Sequence, residues 1–282
     1  MKKKSKVIAI AAPTATGKSK LAVELAHKIN GEIVSADSRL VYKDFQIAVA
    51  KPTVEEMESV PHYLIDVVEP EIDYSVANYV DDATAAIDDI LSRGKVPIIA
   101  GGTGLYFRVL LEGYNLPRVA PNYELREELN NLDDNILKER INKLDKNYLS
   151  EFKNFDKRKV IRAIEICETL NQPISELSNK KEPPYDVEWI GIKMPREEIY
   201  ERINKRVDKM VELGILEETK LLLEKHGRIP NFTETIGYKE ILSYLDGEIS
   251  FDRAIELIKQ HSRNYAKRQL TWFRRNKALG ID

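Results

Sequence analysis

Continuous apolar runs alternate with helical stripes through the first third of the chain. Val7 to Ala11 is an apolar run of strand length, and Lys18 to Ile29 carries helical spacing that closes near Gly31. Glu32-Ile33-Val34-Ser35 reads as a second strand, Asp81 to Ser92 as a helix, and Val96 to Ala100 as a third strand ending at Gly101-Gly102. Strands that alternate with helices predict a parallel sheet.

The pattern changes from about Tyr114 to Asp186. Strand signals vanish, and charged helical stripes take over at Glu124 to Leu132, Asp134 to Leu144 and Lys157 to Leu170, with Pro117, Pro121 and Pro183-Pro184 at the margins. Residues 114–186 are therefore expected to be an all-helical insertion, with 1–113 and 187–282 forming the core. Glu188 to Lys193 reads as a strand that rejoins the sheet. Helices are then predicted over Arg196 to Leu213, Leu216 to Lys225, Tyr238 to Leu245 and Phe251 to about Arg275, the last capped by Ser250.

Composition narrows the class. With 282 residues, 43% hydrophobic and 32% charged, the chain has the balance of a globular enzyme rather than a disordered protein. Its apolar runs are too short to span a bilayer. The Lys2-Lys3-Lys4-Ser5-Lys6 stretch before Val7 to Ala12 has the outline of a secretory signal, yet the apolar run stops at six residues, short of the roughly 7–15 such a signal needs. The one cysteine, Cys167, rules out a disulfide framework and reads as a packing residue on a helix. A cytoplasmic, monomeric enzyme with no membrane partner is expected. Net charge is −2, so any nucleic-acid partner must be met by segregated charge, because phosphate contacts are screened beyond roughly 10 Å. Acids gather at Glu55-Glu56, Glu69 to Asp73 and Asp81-Asp82, whereas bases gather in two later helices.

Ala12-Pro13-Thr14-Ala15-Thr16-Gly17-Lys18-Ser19 lies between the first strand and the first helix. In that setting the sequence reads as a phosphate loop. Backbone N–H groups form the anion cradle, Lys18 reaches phosphate oxygens, and the Ser19 hydroxyl is placed to hold Mg²⁺. The pattern has glycine where this chain has Ala12; the substitution costs about 1–2 kcal/mol only if that position needs a left-handed backbone. A phosphate loop alone fits a small-molecule kinase or NTPase, although Arg162 and Arg196 are then the only candidates for a second phosphate clamp.

Asp37, in Ser35-Ala36-Asp37-Ser38, falls at the carboxyl end of the second strand, on the sheet edge where ligands of open parallel sheets bind. The tetrapeptide alone fits a turn or helix-cap aspartate better than a catalytic one. His62 is assigned a structural hydrogen bond. Asp81-Asp82 sit on adjacent helical positions that do not face each other.

The motifs together resemble a family. Ala12 to Ser19, Ser35 to Ser38 with Tyr42, Ala50-Lys51-Pro52-Thr53, Pro61 to Asp66 and Gly101-Gly102-Thr103-Gly104-Leu105-Tyr106 occur in the order and spacing of bacterial tRNA dimethylallyltransferases. So do Val160 to Glu165, Ile236-Gly237-Tyr238-Lys239-Glu240 and Tyr265 to Arg274. The resemblance implies a P-loop NTPase-like α/β fold with an inserted helical tRNA-binding module. It implies transfer of a dimethylallyl group from dimethylallyl diphosphate, with Mg²⁺, to the exocyclic amine of the adenosine 3′ of the anticodon. It further implies that Asp37 is the base, that Thr103 hydrogen-bonds near the reacting group, and that Lys18 acts on the diphosphate held by residues 12–19. The tRNA anticodon stem-loop is expected to meet Asp37, Ser38, Arg39, Leu40 and Thr103. Further contacts are expected from Arg126, from Arg158, Lys159, Val160, Ile161 and Arg162, and from Glu234, Thr235, Ile236, Gly237, Tyr238 and Lys239. An adenylate prenyltransferase or a tRNA-binding paralogue with impaired turnover are the alternatives. The run Asp44-Phe45-Gln46-Ile47-Ala48-Val49 departs from the family pattern, as do Arg39-Leu40 and Glu234.

The last helix interleaves Lys259, Arg263, Lys267, Arg268, Arg274 and Arg275 with Tyr265, Trp272 and Phe273. Cations among aromatics suit backbone tracking and base stacking. The same pattern also arises when the aromatics, with Gln269 and Leu270, pack on the sheet while the charges stay wet.

Overall fold

The computed structural model describes residues 4–151, 154–177 and 181–281. Two compact units emerge: Glu112–Pro183, and the two flanking segments together.

The larger unit opens with β1 (Lys6–Ala11), α1 (Lys18–Ile29), β2 (Gly31–Ala36), α2 (Val54–Met57), β3 (His62–Tyr63), α3 (Val76–Ser92), β4 (Val96–Gly101) and α4 (Gly104–Leu111). The smaller unit holds α5 (Tyr123–Asn130), α6 (Asp134–Leu144), α7 (Lys157–Leu170) and α8 (Ile174–Leu177). The larger unit resumes with β5 (Asp186–Gly191), α9 (Arg196–Glu212), α10 (Ile215–His226), α11 (Pro230–Thr233), α12 (Tyr238–Leu245) and α13 (Phe251–Phe273).

The five strands form one parallel sheet in the order β3-β2-β4-β1-β5. Side chains alternate across it. Val7, Ala9, Ala11, Val34 and Ile99 meet Tyr79, Ile87 and Leu110 of α3 and α4, Ile199 and Ile203 of α9, and Ala266 and Leu270 of α13. Ile8, Ile10, Ile33 and Ile98 pack instead on Ala22, Val23 and Ala26 of α1. Coverage on both faces explains why β1 and β4 read as apolar runs with no alternation.

The strand expected at Glu188 to Lys193 begins two residues earlier, because Lys6 pairs with Asp186 and Ala11 with Gly191. Asp186, expected in the helical insertion, is thus a sheet residue, and Tyr185 before it is buried in the sheet core. The smaller unit is all-helical. Its core is Leu129, Leu137, Ile141, Val160, Ile161, Ile164 and Cys167, so the packing role read for Cys167 holds.

Candidate active site

The phosphate loop leaves β1 at Ala12 and enters α1 at Lys18. Gly17 is left-handed with φ 87°, and as N-cap it has no side chain to accept from the first-turn amides. Those N–H groups are left for an anion. Ala12 is not left-handed. The strained residue in the loop is Ala15, at φ 65°, so the alanine in place of glycine at position 12 carries no backbone penalty. Inside the loop the Thr16 hydroxyl donates to the Pro13 carbonyl at 2.8 Å. Lys18 folds back toward the same carbonyl, its Nζ at 3.5 Å. Burial pushes the Lys18 ammonium down to about 8, with Asp37 opposing that shift and Arg206 adding to it.

Two residues that the sequence reading did not place here complete the loop. Arg206, on α9, donates from Nη1 to the Thr14 hydroxyl at 2.8 Å and from Nη2 toward the Val49 carbonyl at 3.4 Å. Gln269, on α13, accepts the Thr14 amide N–H at 2.9 Å and donates to the Gly102 carbonyl at 2.9 Å. A Cβ on Gly102 would run into the Gln269 amide, which gives the second glycine of Gly101-Gly102 a packing reason. Arg206 has no local signal: it lies among Arg202, Lys205 and Lys209 on a charged helix. The two arginines expected as phosphate clamps are engaged elsewhere. Arg196 donates to the Tyr200 hydroxyl at 2.7 Å, and Arg162 binds Glu165 and the Val119 carbonyl.

Asp37 sits one residue past β2, and Thr103 two residues past β4, the strand lying between β2 and β1. The Thr103 N–H donates to the Ala36 carbonyl at 3.0 Å, and its hydroxyl accepts the Ser38 N–H at 3.1 Å. One Asp37 oxygen, Oδ1, accepts the Arg39 N–H at 2.9 Å; among the described residues no partner takes the other. Tyr265 of α13 lies near Thr103, and burial raises its phenol to about 12, with the Asp37 charge contributing. Aspartate, threonine and phosphate loop therefore converge at three adjacent strand ends. The tyrosine and glutamine of α13 point into this site, while Trp272 packs on Gly104 between Arg108 and Arg275, each guanidinium 5.7 Å from its ring.

The residues expected to meet tRNA divide by exposure. In the larger unit, Ser38, Arg39 and Leu40 are half-buried at the site, and Arg39 reaches the Asn231 carbonyl at 3.4 Å. Glu234 and Lys239 are exposed and Ile236 is half-buried, whereas Thr235, Gly237 and Tyr238 are buried. Tyr238 packs its ring against Phe45 and Phe232, so its side chain offers nothing to a ligand. In the smaller unit, Val160 and Ile161 are core residues. Arg126 makes two 2.9 Å bonds to Glu165, a carboxylate with 0% exposure. Burial opposes ionisation of Glu165, but Arg126, the Asn122 N–H and Arg162 outweigh it and hold its pKa below the usual range. Arg126 and Arg162 are thus committed to the unit's own fold. Arg158 and Lys159 are exposed, and Lys159 approaches Asp156 at 3.2 Å.

A family model described as IPP transferase matches residues 40–276. The chain belongs to the IPP transferase family. This family member is 42% identical, over 99% of its length and 86% of the relative's, to the tRNA dimethylallyltransferase of Thermomicrobium roseum. It is 46% identical to that of Streptococcus uberis, covering 97% and 89% of the two chains. Among solved structures, the full-length tRNA isopentenylpyrophosphate transferase of Bacillus halodurans aligns with a TM-score of 0.74 at 41% identity, covering 98% of this chain and 89% of that one. A eukaryotic dimethylallyltransferase acting on tRNA aligns with a TM-score of 0.79 at 31% identity, covering 95% and 70%. The α/β core of this IPP transferase is P-loop NTPase-like, and no helix among its described residues is long and apolar enough to cross a membrane.

Proposed function

We propose that this protein is a tRNA dimethylallyltransferase that uses dimethylallyl diphosphate to prenylate the exocyclic amine of the adenosine 3′ of the anticodon. The observation that carries the reading is the convergence of Asp37, Thr103 and the phosphate loop at neighbouring strand ends. An anion cradle beside a carboxylate suits a reaction that releases diphosphate and a proton together.

The amine nitrogen attacks the allylic carbon of the donor, the carbon–oxygen bond to diphosphate breaks, and the amine proton passes to the free oxygen of Asp37. Exocyclic amines on aromatic rings are weak nucleophiles, so a positioned base contributes about 10²–10⁴-fold. Lys18, Arg206 and the first-turn amides of α1 face the charge that develops on the leaving group. Thr103 fixes the Asp37 turn through the Ser38 N–H. Among the described residues no group of three or more His, Cys, Asp or Glu gathers to hold a metal. A phosphate-loop Mg²⁺ does not need one, since it is held by one hydroxyl, diphosphate oxygens and water. Ser19, the second residue of α1 and exposed, would hold it, and the ion would neutralise leaving-group charge. Flipping an anticodon-loop base costs only a few kcal/mol.

Incubation with unmodified tRNA, dimethylallyl diphosphate and Mg²⁺, followed by mass spectrometry, tests the reading. One prenyl unit on adenosine is expected with wild type and none with Asp37→Ala, whose tRNA affinity should stay within a few-fold. ATP consumption with a nucleoside acceptor, or tight tRNA binding without product, would overturn it.

A further inference from the structure

The departing run Asp44 to Val49 forms a loop held in an unusual way. Asp44 at its start and Ala50 just after it are left-handed at φ 66° and 48° without being glycine. Such residues persist only where their surroundings over-determine them. The surroundings here centre on Glu218, in the first turn of α10. Its Oε1 accepts the amide N–H groups of Gln46 and Ile47, both at 2.8 Å, and its Oε2 accepts that of Ala48 at 3.3 Å. The Tyr238 hydroxyl accepts the same Gln46 N–H at 3.3 Å. Three consecutive amides on one carboxylate make a backbone nest occupied by the protein's own anion. Gly237, at φ 104°, lets the chain lie against Ala48, where a Cβ would come within 2.7 Å of the Ala48 methyl. Asp44 is tied in turn by Lys225 at 2.7 Å and His226 at 2.9 Å.

The loop then hands this order on. The next carbonyl, that of Val49, faces Arg206 Nη2 at 3.4 Å, and Arg206 Nη1 holds the Thr14 hydroxyl of the phosphate loop. We infer that Glu218 is a positioning residue: through loop 44–50 it sets the guanidinium of Arg206 against the donor diphosphate. The inference rests on the diphosphate reading of the phosphate loop. It gives a carboxylate remote from the reacting atoms an effect on the donor and none on tRNA. Glutamine at this position keeps the shape and one acceptor oxygen but loses the charge that draws three amides together.

Calorimetric titration with Mg²⁺ and inorganic pyrophosphate, alongside steady-state kinetics, tests the linkage. Glu218→Gln is expected to weaken pyrophosphate binding and raise the donor KM about tenfold, the loss of a charge-assisted contact, with the tRNA KM within about twofold. In an Arg206→Ala background the same change should add less than about twofold, because the two act in series. Should Glu218→Gln fail to fold by thermal melting, Tyr238→Phe keeps the packed ring and removes only the hydroxyl. It should show the same donor-only pattern at about two- to threefold. Unchanged pyrophosphate binding, an effect on tRNA KM alone, or full additivity with Arg206→Ala would overturn the inference. Wild-type protein that bound no pyrophosphate would overturn the diphosphate reading and this inference with it.

Discussion

Gln269 accepts the Thr14 amide at 2.9 Å, and its side-chain nitrogen donates to the Gly102 carbonyl at the same distance. A residue near the end of the last helix thereby bridges the loops that follow β1 and β4. Its side chain is 4% exposed, so water does not replace it when it is lost. Gln269→Leu leaves a half-buried N–H and a buried carbonyl without partners, at a cost of about 2 kcal/mol. Urea unfolding should show that loss, and the donor KM should rise because Thr14 is no longer held; an unchanged midpoint would refute the bridge.

Arg206 should act on the donor alone. Arg206→Ala removes the Thr14 contact and, in the proposed reaction, a charge that faces the leaving group, so kcat/KM for dimethylallyl diphosphate is expected to fall about 10²–10³-fold. The tRNA KM should remain within about twofold. Arg206→Lys keeps the charge but cannot span Thr14 and Val49 together, and should recover only part of the activity. Steady-state kinetics with each substrate varied separately would expose any effect that fell on tRNA instead.

How far these roles could be read in advance depends on whether a residue's partner lies close in sequence. The phosphate loop and β1, β2 and β4 are local patterns, and α1, α6, α7 and α12 begin and end where their spacing and caps place them. The edge strand β3 is two residues long and pairs only with Ile33 and Val34, too short for any period to register. Asp37 was legible as a strand-end acid, but its meaning came from Thr103, 66 positions later in the chain. Arg206 and Gln269 were illegible as site residues. A helical arginine among other cations looks solvated, and a glutamine among aromatics looks like packing, until the fold brings Thr14 to both. Basic residues on α7 misled in the opposite direction. Arg162 shares a helix face with Arg158, yet the buried Glu165 three positions on claims it.

That distinction is measurable. Arg158→Ala removes an exposed cation and should weaken tRNA binding while lowering the slope of log affinity against log salt by about 1. Arg126→Ala takes two hydrogen bonds from a fully buried carboxylate and leaves it with Arg162 and the Asn122 N–H, so its main effect should be loss of stability in the helical unit of about 3 kcal/mol. Its salt slope should stay close to that of wild type once the protein is folded. Filter binding across a salt series, paired with thermal melts, separates the two; a reduced slope for folded Arg126→Ala would return that residue to the tRNA surface.

A second buried carboxylate sets the acid limit of the sheet. Glu32, on β2, is 1% exposed and binds Arg93 through two bonds of 2.7 and 2.6 Å, Lys95 at 2.6 Å and the Tyr63 hydroxyl at 2.8 Å. Hydrogen bonding from Arg93 is the main cause that lowers its pKa to about 2; burial works against the shift, and Lys95 and Tyr63 add to it. A carboxylate more acidic in the folded chain than in the unfolded one, where glutamate titrates near about 4.3, stabilises the fold above that pH. The contribution is lost as pH falls from about 5 toward the folded value, and it amounts to about 2–3 kcal/mol. Glu32→Gln should therefore be less stable than wild type at pH 7 by roughly that amount. The gap should shrink by about half or more at pH 3, as the wild-type carboxylate begins to take up its proton on unfolding. Urea unfolding of both proteins from pH 7 to pH 3 measures the gap directly, and parallel curves over that range would show that the Arg93 pairing does not set the acid limit.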